Sequence, residues 1–249
     1  MAPEVLRGGG PASSPSVSRE TLAALTTPRG LPSTVVEPLS ALLTALEREP
    51  DPPTTLRAPE AAADGHLADS LTGLEVAELA RAVAVADIGA GAGFPGLALA
   101  AAMPSARVDL IESNGRKCAV IDRLATAARL GNAHSVQRRA EDWGAGDGAQ
   151  AYDAVTARAL APLAVLTEYA APLLRLGGAL VAWKGVRDPG EEAAGLAAAT
   201  RLGLCLDRVL RVKPFAGARD RHLHVYLKVA VTPAGFPRRA GVARKRPLA

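Results

Sequence analysis

The sequence predicts an α/β protein with a seven-stranded, mostly parallel sheet that carries helices on both faces. Short apolar runs alternate with longer helical segments between residues 83 and 183, an order typical of right-handed β-α-β units. The first run leads into DIGAGAGFPG, Asp87–Gly96, a glycine-rich turn of the kind that joins a strand to a helix. Two β-like runs near the C-terminus are joined by a short, turn-rich link, which predicts an antiparallel hairpin at the sheet edge.

The composition suits one sizeable domain with a packed core. The chain has 249 residues, 49% of them hydrophobic, and a net charge of +4 with a pI near 9.4. Its two cysteines, Cys118 and Cys205, are too few for a disulfide framework and lack metal-ligand spacing, so we expect a reducing cytoplasm and no metal. The first sixteen residues hold neither a signal-peptide core nor a bilayer-spanning run, so a soluble protein is expected.

The elements before the sheet are predicted from prolines, glycines and the spacing of leucines. Residues 1–17, rich in Gly, Pro and Ser, are expected to form a disordered leader. Leucines at helical spacing predict an amphipathic helix over residues 38–49 and, beyond a proline-rich connector, a second helical face from Leu67 toward Arg81. Residues 18–82 are therefore predicted to form a small N-terminal helical extension.

Residues 83–231 are predicted to form the sheet domain. Its strands are predicted at residues 83–88, 107–111, 135–138, 154–157, 179–183, 204–212 and 222–229. Helices are predicted at residues 95–102, 116–130 and from the fourth strand to Leu174, after which Gly177 and Gly178 act as a stop. Residues 232–249 form a basic tail, which we expect to be a solvated, mobile end rather than a binding surface.

The glycine-rich turn is compatible with two ligand classes. Gly91, Gly93 and Gly96 match the dinucleotide pattern G-x-G-x-x-G, which is weak evidence on its own. The strand ends at Ile88, so the turn begins at Gly89, and Asp87 beside it would repel a pyrophosphate. S-adenosylmethionine has no phosphate. Its ammonium suits an acid such as Asp87, and its carboxylate suits the backbone N–H groups of the turn.

Two further acids follow the next strands at the same edge of the sheet. Glu112 ends the second strand, 23 residues after Gly89, where a ribose-binding carboxylate is expected. Glu141 follows the third strand, and Ala140 and Glu141 are predicted to border the adenine. The alternative is that Asp87, Glu112 and Glu141 are helix caps or surface charges.

The sequence reduces the number of plausible methyl acceptors but does not select one of them. After the fourth strand the chain reads TARALAPL, without the Asn/Asp-Pro-Pro-aromatic motif of exocyclic-amine methylation. Cys118 and Cys205 are expected to be core residues, which disfavours a cysteine nucleophile for pyrimidine carbon. Guanine N7 carries a free lone pair and needs no general base, and Arg158 or Lys184 can donate to the guanine O6.

Eight sequence blocks occur in an order that resembles one known family. They are HLADSL (66–71), DIGAGAGFPG (87–96), IESNGRK (111–117), RAEDW (139–143), TARALAPL (156–163), AWKG (182–185), RHLHVYLK (221–228) and FPRRAGVARKRPL (236–248). From about Thr54 onward, the chain resembles the RsmG type (glucose-inhibited division protein B) of 16S ribosomal RNA guanine-N7 methyltransferases. The resemblance implies a Rossmann-like class I methyltransferase fold and a cytoplasmic, monomeric enzyme. It would use S-adenosylmethionine to methylate a guanine in the decoding-region loop of the small ribosomal subunit.

The resemblance also assigns roles to residues. The implied cofactor contacts are Gly89, Phe94, Glu112, Ser113, Asn114, Ala140, Glu141 and Arg158, and His66 and Asp69 are implied to border the active site. Lys184, Arg221 and the basic tail are implied to face RNA. This chain departs from the family in having Gly65 where an Arg precedes the histidine, and Pro52-Pro53-Thr54 where Asn-Leu-Thr is expected.

Two other functions remain open from the sequence. One is an NAD(P)-dependent Rossmann oxidoreductase, because the glycine pattern also fits a dinucleotide. The other is a non-catalytic RNA-binding protein that retains the fold without the activity.

Overall fold

A computed structural model describes residues 17–56 and 58–248. The predicted disordered leader, residues 1–17, lies outside the described residues except for Val17.

A seven-stranded sheet forms the centre of the molecule. Its strands are β1 Ala84–Ile88, β2 Arg107–Ile111, β3 Ala133–Val136, β4 Tyr152–Arg158, β5 Leu174–Lys184, β6 Leu204–Val212 and β7 Arg221–Lys228. Their order across the sheet is β3-β2-β1-β4-β5-β7-β6. Strands β1 to β5 pair in parallel, and β7 pairs antiparallel with both β5 and β6. The predicted fold class and the C-terminal hairpin are confirmed.

Helices cover both faces of the sheet. They are α1 Arg19–Thr26, α2 Val36–Arg48, α3 Pro59–Ala62, α4 Asp69–Leu71, α5 Ala77–Ala80, α6 Gly96–Ala102, α7 Gly115–Ala127, α8 Ala140–Gly144, α9 Leu163–Ala170, α10 Pro189–Arg201 and α11 Val242–Lys245. On one face, the leucines of α2 are buried with those of α6 and α7. On the other face, α9 and α10 bury their apolar residues against β4, β5 and β7.

The chain order places a cleft at one edge of this sheet. Strand β1 lies between β2 and β4, so successive connections run outward in opposite directions from it. The carboxyl ends of β1 and β4 therefore form a switch point, where the following loops diverge and leave room for a ligand.

The second helical face, predicted from Leu67 toward Arg81, is divided into several short elements. A π-helical segment covers Ala63–Ala68, α4 is a single turn, and a 3₁₀ turn covers Thr72–Glu75. Val76 then leaves the helical region with φ −93° and ψ 109° before α5. A Cβ at Gly73 would lie 2.6 Å from the Trp183 ring, so this turn passes close enough to β5 to require glycine.

The predicted bounds of three strands are wrong by two residues or more, and one of these strands is β4, which begins at Tyr152 instead of residue 154. Strand β3 lies two residues earlier than expected, at Ala133–Val136. Strand β5 begins at Leu174, so Gly177 and Gly178 lie inside the strand and do not stop a helix. The reason is local: Leu174 pairs with Tyr152 across a bulge, and a Cβ at Gly178 would lie 2.8 Å from the Asp153 carbonyl oxygen.

The basic C-terminal segment, residues 236–248, is docked on the protein, contrary to the predicted mobile end. Arg238 forms an ion pair with the fully buried Glu168. Two guanidinium groups approach the ring of Phe236, at 5.8 Å from its centroid for Arg201 and 6.0 Å for Arg238. The buried partner Glu168 lies on α9, 70 residues earlier, so the charge pattern of the segment alone does not reveal the docking.

Among the described residues, no helix has the length and apolar character needed to cross a membrane. Within the same part of the chain, no group of three or more His, Cys, Asp or Glu side chains is arranged to hold a metal ion. The thiols of Cys118 and Cys205 are both free.

Candidate active site

A cavity of about 480 Å³ opens at the carboxyl ends of the parallel strands. The glycine-rich turn after β1 forms one side of it, and the ends of β2 and β4 form two others. Of the residues predicted to hold a cofactor, those on its wall are Gly89, Gly91, Phe94, Glu112, Ser113, Ala140, Glu141 and Arg158. Asp87, Gly93 and Asn114 are not on that wall.

The turn needs glycine for two different reasons. Gly89, Gly91 and Gly93 have φ of +66°, +58° and +95°, in the left-handed region that side chains disfavour. At Gly89 a Cβ would also lie 2.4 Å from the Leu160 side chain. At Gly91 the nearest atom to an added Cβ is the Gly89 carbonyl oxygen at 3.8 Å, so this position presents bare backbone to the cavity.

Asp87 holds the turn from behind, where the sequence suggested that it would face the ligand. Its carboxylate accepts hydrogen bonds from the Gly96 backbone N–H at 2.9 Å and from the Thr156 hydroxyl at 2.8 Å. The residue is 1% exposed, and burial raises the pKa of the carboxyl group to about 6 despite these hydrogen bonds. Asp87 therefore joins the start of α6 to β4 and shapes the turn without reaching the cavity.

Glu112 is the carboxylate that faces the cavity. Its two oxygens accept hydrogen bonds from the Gly91 N–H at 3.2 Å and from the Asn114 N–H at 2.9 Å. Asn114 itself caps α7, because its side chain accepts from the N–H groups of Arg116 and Lys117. The end of β2 thus supplies a buried acceptor beside the turn, as a ribose-binding acid requires.

The opposite wall includes the C-terminal segment. Glu141 accepts a hydrogen bond from the Gly241 N–H at 2.8 Å, and Arg244 donates to the Leu160 carbonyl oxygen at 2.8 Å. Glu141 is 5% exposed, and both Glu141 and Arg244 line the cavity. Neither Glu112 nor Glu141 is a surface charge, because both side chains are buried.

A cluster of three side chains forms the remaining wall. Arg158, at the end of β4, donates through Nη1 to the Gly65 carbonyl oxygen at 2.8 Å and to Asp69 Oδ2 at 2.9 Å. Its Nη2 lies 3.1 Å from His66 Nδ1. Since a guanidinium only donates, Nδ1 accepts, and the imidazole proton sits on Nε2, 3.0 Å from the Thr54 hydroxyl.

This cluster, His66–Asp69–Arg158, has little net charge. Burial, and then the nearby Arg158, lowers the pKa of His66 to about 4, so the imidazole is neutral at neutral pH. The guanidinium of Arg158 is paired with the Asp69 carboxylate. The His66 ring stacks on Phe94 of the turn with centroids 4.6 Å apart.

A second cavity of about 400 Å³ lies against the same cluster. It shares His66 and Arg158 with the first cavity and adds Asp69, Lys184 and Arg221. Lys184 Nζ is 2.5 Å from Glu191 Oε1, and Arg221 Nε is 3.8 Å from Asp69 Oδ1. The residues predicted to act on the acceptor therefore meet in one place, next to those predicted to hold a cofactor.

Sequence reasoning missed several wall residues. Thr54 orients His66, Leu160 fills the space beside Gly89, and Arg244 comes from the segment expected to be mobile. Ala159 borders both cavities with φ +53°, a conformation that alanine rarely adopts and that no pattern in the sequence announces. Thr54 belongs to Pro52-Pro53-Thr54, where the chain departs from the family, and Leu160 belongs to the block TARALAPL. The sequence therefore held a signal for these two wall residues.

The first cavity fits S-adenosylmethionine. The ammonium and the ribose hydroxyls of that molecule are donors, and the wall offers the buried carboxylates of Glu112 and Glu141 as acceptors. The bare backbone at Gly91 permits the close approach that the amino-acid end of the ligand needs.

Comparisons with known proteins agree with this geometry. The family model described as "GidB: rRNA small subunit methyltransferase G" matches residues 54–223. A relative named ribosomal RNA small subunit methyltransferase G from Pelotomaculum thermopropionicum is 40% identical over 185 residues, which are 74% of this chain and 77% of the relative. Proteins of the same name from Rubrobacter xylanophilus and Chloroflexus aggregans are 41% and 39% identical. They cover 77% and 78% of this chain and 75% and 82% of their own lengths.

Solved structures share the fold at lower identity. Fibrillarin from Aeropyrum pernix, in complex with natively bound S-adenosyl-L-methionine, superposes with a TM-score of 0.50 at 18% identity, over 64% of this chain and 73% of that one. Cofactor-bound Rv0187 from MTB superposes with a TM-score of 0.53 at 20% identity, over 77% of this chain and 89% of that one. These similarities establish a Rossmann-like methyltransferase architecture for the sheet and its helices.

Proposed function

Because the chain belongs to the family of rRNA small subunit methyltransferase G, we propose that it methylates N7 of a guanine in the decoding-region loop of 16S rRNA. The methyl donor is S-adenosylmethionine. The single observation that carries the proposal is the pair of adjoining cavities that share His66 and Arg158, one suited to the donor and one to a base. Family membership excludes the oxidoreductase alternative.

S-adenosylmethionine supplies, when bound, an electrophilic methyl group on a sulfonium. In the first cavity, Glu112 would accept from the ribose hydroxyls and the backbone around Gly89 and Gly91 would hold the amino-acid end. Ala140 and Glu141 would border the adenine. Phe94 and Ser113 complete that wall. Asp87, Gly93 and Asn114 would act indirectly, by holding the turn and the start of α7.

Guanine N7 attacks through a lone pair that is already free, so no protein group has to remove a proton first. The protein contributes alignment and a suitable electrostatic environment. Both the sulfonium and the N7-methylated guanine are cationic, and a bare guanidinium between the cavities would repel them. Pairing Arg158 with Asp69 and keeping His66 neutral prevents that repulsion.

The remaining polar side chains of the second cavity suit the base and its backbone. Lys184 lines the cavity beside Arg158 and can donate to the guanine O6. Arg221 is 44% exposed at the rim, where a phosphate contact is accessible. Arg158 directs Nη1 to Gly65 and Asp69, so its role is to hold the shared wall.

We also infer that the enzyme acts in the cytoplasm as a monomer and without a metal. The rRNA target and the two free thiols support the location, and the family resemblance implies the monomer. We propose that the chain divides into an extension (18–82), a methyltransferase domain (83–231) and a basic C-terminal segment (232–249). Sedimentation of the protein at micromolar concentration tests the monomer.

The function is tested with small ribosomal subunits that lack the modification. The protein and labelled S-adenosylmethionine should transfer label to 16S rRNA, and chain cleavage specific to 7-methylguanosine should map it to one guanine in the decoding region. Absence of label, or label at another position or atom, would refute the proposal. If the chain were a non-catalytic RNA-binding protein, it would not bind S-adenosylhomocysteine. Calorimetry measures this binding separately.

A further inference from the structure

Asp69, a residue on the wall of the second cavity, has one carboxylate oxygen that is buried without a hydrogen bond. The residue is 7% exposed and lines that cavity. Its Oδ2 accepts from Arg158 at 2.9 Å, whereas Oδ1 has no hydrogen-bond partner within the described part of the chain. An acceptor buried in this way is costly unless a ligand supplies a donor.

We propose that Asp69 Oδ1 recognises the target guanine by accepting hydrogen bonds from its N1–H and 2-amino groups. This inference rests on the proposed function and adds how the base is chosen. Among the purines, guanine presents donors at both positions, whereas adenine presents an acceptor at N1 and has no 2-amino group. A fixed carboxylate would therefore bind guanine and repel adenine.

The surroundings hold Asp69 in place. Besides the contact with Arg158, the backbone carbonyl oxygen of Asp69 accepts two hydrogen bonds. One comes from Trp183 Nε1 at 2.9 Å and the other from the Thr72 hydroxyl at 2.6 Å. The carboxylate is therefore anchored at one oxygen and along the backbone, and the free oxygen keeps its direction. A fixed acceptor discriminates better than a mobile one, because it cannot turn away from a wrong base.

The charged neighbours of this oxygen complement a guanine. Arg221 Nε, 3.8 Å from Oδ1, is beyond hydrogen-bond distance and balances part of the charge. Lys184 lines the same cavity and offers a donor for O6. A base bound by O6 at the lysine and by N1–H and the 2-amino group at the carboxylate leaves N7 free for methylation.

The test uses reconstituted small subunits with guanosine or inosine at the target position. Inosine lacks only the 2-amino group. In single-turnover assays the wild type should methylate inosine at least about 10-fold more slowly than guanosine, the size expected for one hydrogen bond to a charged group. Asp69→Asn should be about 100-fold slower than wild type on guanosine, because its amide oxygen turns to Arg158 and its NH₂ group faces the base.

The decisive quantity is the coupling between the two changes. In Asp69→Asn the inosine substitution should cost less than about 3-fold, because the acceptor for the 2-amino group is gone. A merely structural role would leave the inosine penalty equal in both proteins, which would overturn the proposal. Asp122→Asn, the same change at an exposed acid on α7, should keep the wild-type rates on both substrates.

Two further readouts separate the possible failures. Asp69→Asn should bind S-adenosylhomocysteine within about 3-fold of wild type, because Asp69 does not line the first cavity and the amide oxygen still accepts from Arg158. If the variant does not fold, the wild-type rates alone test the proposal. Equal wild-type rates on inosine and guanosine would overturn recognition of the 2-amino group. If the wild type methylates guanosine but shows no coupling, only this inference falls; if it methylates neither, the proposed function falls with it.

Discussion

The imidazole of His66 is uncharged although its neighbours Asp69 and Arg158 are charged, and this makes the stability of the fold depend on pH. In the folded protein its pKa is lowered to about 4, below the ordinary 6.5, by burial and by Arg158. The unfolded chain therefore binds more protons between these values, and stability falls as the pH drops from 6.5 to 4. The shift corresponds to about 3 kcal/mol.

Comparing wild type with His66→Gln should isolate this effect. Asp87 affects the pH dependence of stability in the opposite direction. Its pKa is raised to about 6, so its ionisation destabilises the fold as the pH rises through that value. Both proteins contain Asp87, so the difference in their unfolding free energies should change by about 3 kcal/mol between pH 7 and pH 4. Urea unfolding across this range measures it, with His134→Gln at an exposed histidine as the control. A constant difference would contradict the assignment.

Gly91 offers a second test at the residue scale. Gly91→Ala should cost about 1–2 kcal/mol of stability, because φ is +58°. Since the new methyl group enters open cavity space, it should also weaken S-adenosylhomocysteine binding by about 10-fold or more. Gly131→Ala, at a position with ordinary φ and no atom within 4 Å of the added Cβ, is the matched control. Calorimetry measures the binding, and unaltered affinity in Gly91→Ala would show that the ligand does not approach this turn.

At the scale of elements, the C-terminal segment depends on one buried ion pair. Arg238→Met should destabilise the protein by about 3 kcal/mol, because it leaves Glu168 charged, fully buried and unpaired. The double variant Arg238→Met/Glu168→Met should recover most of that loss, and Arg239→Met, at an exposed neighbour, should change little. Denaturant unfolding measures all three. Equal stability of Arg238→Met and wild type would mean that the segment is not docked in solution.

Elements were predictable where local pattern and tertiary pairing agree. The bounds of β2 and β6 match the sequence expectation, since both are short apolar or alternating runs bounded by turn residues. β5 was wrong at its start because a bulge and a close backbone approach, which the sequence does not display, place two glycines inside a strand. The tail was wrong because its docking partner lies on α9.

The site was predictable to the extent that strand ends converge. Glu112 and Glu141 follow successive strands, so their meeting at one edge of the sheet follows from the fold. The different roles of Asp87, which holds the turn, and Glu112, which faces the cavity, were not predictable. Spacing alone cannot tell that Asp87 points into the core. The Arg158–His66 contact joins positions 92 residues apart, and only the family resemblance placed both residues at the site.

At the scale of the whole molecule, unpaired cations around the first cavity suit an RNA ligand. Lys117, Arg138, Arg139 and Arg244 line it, and no carboxylate of the described residues lies within ion-pair distance of these four. We expect the affinity for small subunits to fall steeply with salt, because binding releases counterions. Arg139→Gln should lower the slope of log K against log salt by about one, with Arg48→Gln on α2 as the control. An unchanged slope in filter-binding assays would remove Arg139 from the interface.

The salt bridge between Asp69 and Arg158 joins positions 89 residues apart, one before the sheet and one at the end of its fourth strand. The two parts of the chain must therefore carry matching residues at these positions. A recombination breakpoint near residue 82 would yield hybrids in which each parent contributes half of this contact, and viable hybrids should come from parents that already agree at both positions.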